Sequence, residues 1–251
     1  SLQLKMIKSR TEILNMNNCF AEHLIGVQKA KHEPSDEWTE GDSVILDDTD
    51  EPKVLTKEQA NKLNAEDQQY FLDNRDEFHS EFVNKWVGRA TLSSSKKDYQ
   101  EYLNDLGKSL VDLSIDYGHL IILGDWNTPW LYQQNDYAPV VNAIEFLNQK
   151  IDKNFNGGFV LTSDEILEFI PHLFWLTRCN ASLPEFMITF MDSKTVFEIC
   201  KYGILHLEFY EEQEQLKLTN FFKNRNFEEV DRCNDPIEFD NLKGRKIKIN
   251  S

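Results

Sequence analysis

Five short runs near the C-terminal end decide the fold. They are His172-Leu-Phe-Trp-Leu-Thr-Arg178, Phe186-Met-Ile-Thr-Phe-Met191, Thr195-Val-Phe-Glu-Ile-Cys200, Ile204-Leu-His-Leu-Glu-Phe-Tyr210 and Gln215-Leu-Lys-Leu-Thr-Asn-Phe-Phe222. Their apolar residues recur with a period of two, the spacing that puts alternate side chains on one face of a strand. The separators Asn180-Ala-Ser-Leu-Pro184, Asp192-Ser-Lys194, Lys201-Tyr-Gly203 and Glu211-Glu-Gln-Glu214 are short, and most carry turn residues. Short connections join antiparallel neighbours. The pattern predicts a β-meander of about five strands over 172–222.

Upstream the period is helical. Leu4, Ile7 and Leu14, then Phe20, Leu24 and Val27, predict helix over the first thirty residues. His32 to Lys53 holds two prolines, one glycine and nine acidic residues. It reads as an acidic loop with one short strand at Val44–Leu46. Thr56 and Gln59 have capping-box spacing. A helix is then expected over about Ala65 to Val87, with Phe71, Phe78, Phe82 and Trp86 on one stripe. Thr91–Ser95 reads as a polar break.

Tyr99, Leu103, Leu106, Leu110 and Leu113 step by fours and threes along a further helix. His119–Gly124 reads as a buried strand. Asp136 opens another helix, with Pro139 in its first turn. Asn156-Gly157-Gly158 ends it, and Thr162 with Glu165 forms a second capping box.

Helices first and strands later predict an α+β domain over 1–251, with the helices packed on one face of the meander. Its helical part is 1–170, its sheet 172–222 and its C-terminal extension 223–251, with a last strand near Lys246–Ile249.

Composition narrows the function. In 251 residues, 27 Lys and Arg face 43 Asp and Glu, a formal charge of −16. That excess opposes polyanion binding, so no nucleic-acid partner is expected. The basic run Lys243-Gly-Arg-Lys-Ile-Lys248 reads as a solvated end. No apolar run approaches the ~20 residues that span a bilayer, and the N-terminal residues lack a secretory h-region. The expectation is a cytoplasmic protein without a membrane partner. Cys19, Cys179, Cys200 and Cys233 lie far apart without a CxxC pair, so all four are expected to be free thiols. No metal or cofactor is expected.

One stretch carries a chemical motif: Ile121-Ile-Leu-Gly-Asp-Trp-Asn-Thr-Pro129. It resembles the strand-to-loop signature of the endonuclease/exonuclease/phosphatase family, an apolar strand followed by Gly-Asp-Phe-Asn. The resemblance covers nine residues and implies that Asp125 helps to bind a metal while Asn127 orients a phosphate. Trp126 stands where the family has Phe. The family's C-terminal Ser-Asp-His has no counterpart, and helices are expected where the family has alternating strands. This is the alternative reading, a metal-dependent phosphodiesterase resting on Gly124-Asp125-Trp126-Asn127.

His206 and Glu208 are two apart on one expected strand and so share a face, the placement general base chemistry needs. A nucleophilic Cys179 or Cys200 would need a histidine brought near by the fold, His172 or His206. The leading reading is non-catalytic. It is an acidic, immunity-like or adaptor protein that binds a basic protein partner through aromatic anchors. Trp38, Trp126, Trp130, Tyr132 and Tyr137 stand in polar settings and are the anchor candidates.

Overall fold

The computed structural model describes residues 6–45, 51–96, 98–131, 133–179, 185–233 and 247–249. In its N-terminal half the elements are β1 (Ile7–Lys8), α1 (Arg10–Leu14), α2 (Asn18–His32), β2 (Ser43–Val44), β3 (Lys53–Val54), α3 (Lys57–Asn74), β4 (Gly88–Ser94), α4 (Tyr99–Tyr117) and β5 (Leu120–Gly124). There follow β6 (Gln133–Asn135), α5 (Ala138–Asn148), β7 (Gly158–Leu161), α6 (Ser163–Cys179), β8 (Phe186–Phe190), β9 (Thr195–Ile199), β10 (Leu205–Phe209), α7 (Glu212–Lys223), β11 (Phe227–Glu229) and β12 (Ile247–Ile249). The fold is α+β: among the described residues, seven helices pack with an eight-stranded antiparallel sheet. Its strand order is β1-β7-β5-β8-β9-β10-β4-β11.

The meander exists, but it has three strands rather than about five. β8, β9 and β10 pair in sequence through tight turns. The second turn uses Gly203 at φ 74, a left-handed conformation that glycine adopts without a Cβ penalty. The two outer runs are helical instead. Residues 172–178 continue α6, whose buried Ile166, Phe169, Ile170, Leu173, Phe174 and Leu176 keep one helical stripe through Pro171. Residues 215–222 lie in α7, where Glu214, Leu218 and Phe222 are buried at spacing four. In both runs, spacings of two and of four overlap, and contact with the sheet selects the helix.

Of the remaining strands, β5 falls on the one expected at 119–124 and β12 on the one expected near 246–249, whereas β1 and β4 come from segments expected to be helix and polar break. Thr91–Ser94 belong to β4, which is enclosed by β10 and β11 and points Ala90 and Leu92 into the core. The expected helix over 65–87 is also corrected. The Thr56 capping box is present, but its helix ends at Asn74. Beyond it, the Asp76 amide donates to Gln28, and the Val83 and Asn84 amides donate to the Glu22 carboxylate at 2.9 Å each. These bonds to α2 replace the helical ones.

Helices cover both faces of the sheet, not one. Leu120, Ile122, Phe159, Phe186, Ile188, Phe197 and Leu207 pack against α4 to α7. The alternate residues Ile121, Leu123, Val160, Met187 and Val196 pack against Ile13, Leu14, Phe20, Ala21 and Leu24 of α1 and α2. This second cover stops short of β10, where the side chains on that face are His206 and Glu208. No helix among the described residues is long and apolar enough to cross a membrane. The four cysteines are unbridged.

Candidate functional site

Where α2 stops short, the second face opens into a cleft of about 190 Å³. His23, Val27 and Lys31 of α2 form one wall, and Glu185, Glu198, His206 and Glu208 line the sheet side. Strand alternation explains this polar floor: Phe197, Leu205 and Leu207 serve the core, and their neighbours must point here. His206 faces Glu198 across β9 and Thr91 across β4.

The site's electrostatics follow from partial burial. Burial pushes the Glu198 carboxyl up to about 7, with the Glu185 charge adding and the Lys31 ammonium opposing. Burial pulls His206 down against the pull of Glu208 and Glu185. His23 is pulled down to about 4 by burial, with Lys31 adding, and its Nδ1 shares a 2.7 Å hydrogen bond with the Tyr210 hydroxyl. Burial works against the Lys31 charge, but bonds to Glu185 and Asp125 outweigh it and raise its pKa.

His206 and Glu208 share a face as expected, but each has its own partner. Glu208 accepts from Trp86 Nε1 at 2.6 Å and lies 3.6 Å from Arg89. His206 Nε2 lies 3.2 Å from Cys233 Sγ. Cys200, His206 and Cys233 bring their ligand atoms within 4.8 Å of one another. Sequence reading paired cysteine with histidine in kind but missed Cys233. The one local signal was the hairpin, which sets Cys200 beside Ile204 and thus two residues from His206.

Asp125 is buried at the end of β5, and its carboxylate pairs with Lys31 at 3.1 Å. The cation facing it is an ammonium from α2, which also pairs with Glu185. Asn127 bonds Asn156. No family model, curated protein or solved structure matches the chain. The likeness to the endonuclease/exonuclease/phosphatase family therefore rests on its nine residues alone. Asp125→Ala is expected to cost about 1–2 kcal/mol, because Lys31 keeps Glu185 while the buried side loses its acceptor. Urea denaturation measures this. A magnesium-dependent hydrolysis of bis-nitrophenyl phosphate that disappears in the folded variant would contradict the structural role.

The aromatic candidates separate by burial. Trp130 is 1% exposed, and its indole donates to the Gly157 carbonyl at 2.8 Å. Trp126 is 9% exposed and stacks on His32 with ring centroids 4.1 Å apart. Both are core residues and offer no surface ring. Trp38 is half-buried, and its Nε1 donates to Asp67 at 2.7 Å, pinning the acidic loop to α3. Tyr137 is half-buried at the start of α5, edge-on to Trp175. Tyr132 lies outside the described residues, as do Leu46 and residues 243–246 of the basic run.

Proposed function

We propose that the protein acts without catalysis, by binding a basic protein partner through the segment between α2 and β4. One observation carries this reading. Residues 33–87 hold sixteen acidic and five basic side chains, a net −11 of the chain's −16. The same segment contains seven of the ten large hydrophobic side chains exposed among the described residues: Ile45, Val54, Tyr70, Leu72, Phe82, Val83 and Trp86. Exposed apolar groups rimmed by charge favour association. Their acidic surroundings select against acidic partners and speed encounter with basic ones.

The anchors supported in this reading are Phe82, Val83 and Trp86 rather than the buried Trp126 and Trp130. The phosphodiesterase reading has less support, because Lys31 stands where a hard cation would meet Asp125.

Affinity capture from the native host tests the proposal, with Phe82→Ser/Val83→Ser as the comparison protein. Both side chains are exposed, so the fold should survive. The expected result is a basic protein retained by the wild type, released at high salt as its charges are screened, and bound at least ~10-fold more weakly by the variant. Equal retention by both proteins would refute it.

A further inference from the structure

We propose that Cys200, His206 and Cys233 form a binding site for a soft divalent cation, zinc above all, with a fourth position open to water from the cleft. Two thiols and an imidazole are the donor set that zinc favours over magnesium or calcium. Zinc–sulfur bonds of about 2.3 Å and zinc–nitrogen bonds of about 2.0–2.1 Å place tetrahedral ligand atoms about 3.5–3.8 Å apart. The three donors here already lie within 4.8 Å of one another, so small side-chain rotations close the site.

The fold holds these donors from three directions. Cys200 ends β9 in a tight turn, its amide donating to the Ile204 carbonyl at 3.0 Å and its carbonyl accepting from Gly203 at 2.9 Å. His206 sits within β10, paired on both sides by β9 and β4. Cys233 belongs to the chain leaving β11. There the Val230 amide donates to the Thr91 carbonyl at 2.9 Å, and Thr91 is the cross-strand neighbour of His206. That bond carries the chain across β4 until Cys233 reaches the imidazole. Two donors are thus fixed by the sheet, and the third arrives on a following segment that a metal would fasten down.

The surroundings suit a cation. Glu198, Glu208 and Glu185 line the adjoining cleft, and Glu198 is the cross-strand partner of His206. Binding releases the thiol protons, and two thiolates with one imidazole neutralise a divalent ion. The same two cysteines would alternatively lock as a disulfide if they met an oxidant, and the test separates these fates.

The full chain, reduced and stripped of metal, is titrated with cobalt(II), which reports thiolate ligation by colour. The expected result is a thiolate-to-cobalt charge-transfer band and tetrahedral visible absorption, saturating at about one ion per chain and displaced by zinc. Cys233→Ser, at an exposed position, should weaken binding by at least about 10–100-fold while the circular dichroism stays unchanged. His206→Gln should do the same, and Cys19→Ala, remote from the site, should bind normally. The proposal is overturned by the absence of a charge-transfer band when all four thiols titrate as free. It is also overturned if Cys233→Ser binds cobalt as tightly as the wild type, or if a Cys200–Cys233 disulfide forms in air without any metal binding in the reduced protein.

Discussion

Replacing Arg10 with methionine is expected to destabilise the protein by about 3–5 kcal/mol, the usual cost of removing one partner from a buried ion pair. The Arg10 side chain is 8% exposed, and its guanidinium uses all five of its N–H groups. Nε and one Nη2 proton go to the Asp76 carboxylate, at 3.0 and 2.7 Å. The others go to the carbonyls of Gly124 at 2.7 Å, Trp126 at 3.1 Å and Asn156 at 3.2 Å. Asp76 also accepts from Gln28 at 2.7 Å, and Gln28 bonds the Asp125 carbonyl at 2.9 Å. One cation thus ties α1 to the segment after α3, to the loop after β5 and to the strand entry at β7.

Methionine keeps the apolar stem but leaves a buried carboxylate and three carbonyls short of donors. Urea denaturation at neutral pH measures the loss. Adding Asp76→Leu to Arg10→Met should recover part of it, because no lone charge then remains buried. A loss below about 1 kcal/mol for the single variant would mean that water replaces the guanidinium and that the network is not buried as described.

This network also explains why the motif at Asp125 was hard to read. The chain around 121–129 shows an apolar strand entering a polar turn, and that much is present in β5. What fixes the turn lies far off in sequence: Arg10 is 114 to 146 residues from the carbonyls it holds, and Lys31 is 94 residues from Asp125. The turn's own amides do not cap Asp125. Local chemistry was legible elsewhere. The Thr56 capping box, the α4 seam, and the strands β8 to β10 depend on neighbours within a few residues. β4 was not legible, because Thr91-Leu-Ser-Ser94 looks polar until β10 and β11 enclose it. The cleft was half legible: alternation put His206 and Glu208 on one face, but only the path of the chain after β11 brings Cys233 to His206.

The second large effect is on pH. Acidification from pH 7 to 4.5 should cost the wild type about 2 kcal/mol more than it costs His23→Gln. A histidine in the unfolded chain titrates near 6.5, whereas burial, with the Lys31 charge adding, lowers folded His23 to about 4. Between these values the unfolded chain takes up a proton that the fold excludes. The stability due to neutral His23 is therefore complete above pH 6.5, and it drains away as the pH falls towards 4. Across that whole window the shift corresponds to about 3 kcal/mol.

Glutamine removes the titration while keeping a polar group for the Tyr210 hydroxyl, which His23 meets at 2.7 Å. Carboxylates titrating in the same range act on both proteins alike, so the difference between the curves isolates His23. Urea midpoints at several pH values provide both curves. If the two run parallel from pH 7 to 4.5, the imidazole is reached by protons in the folded state, and the wall between α2 and β10 is more open than its packing indicates.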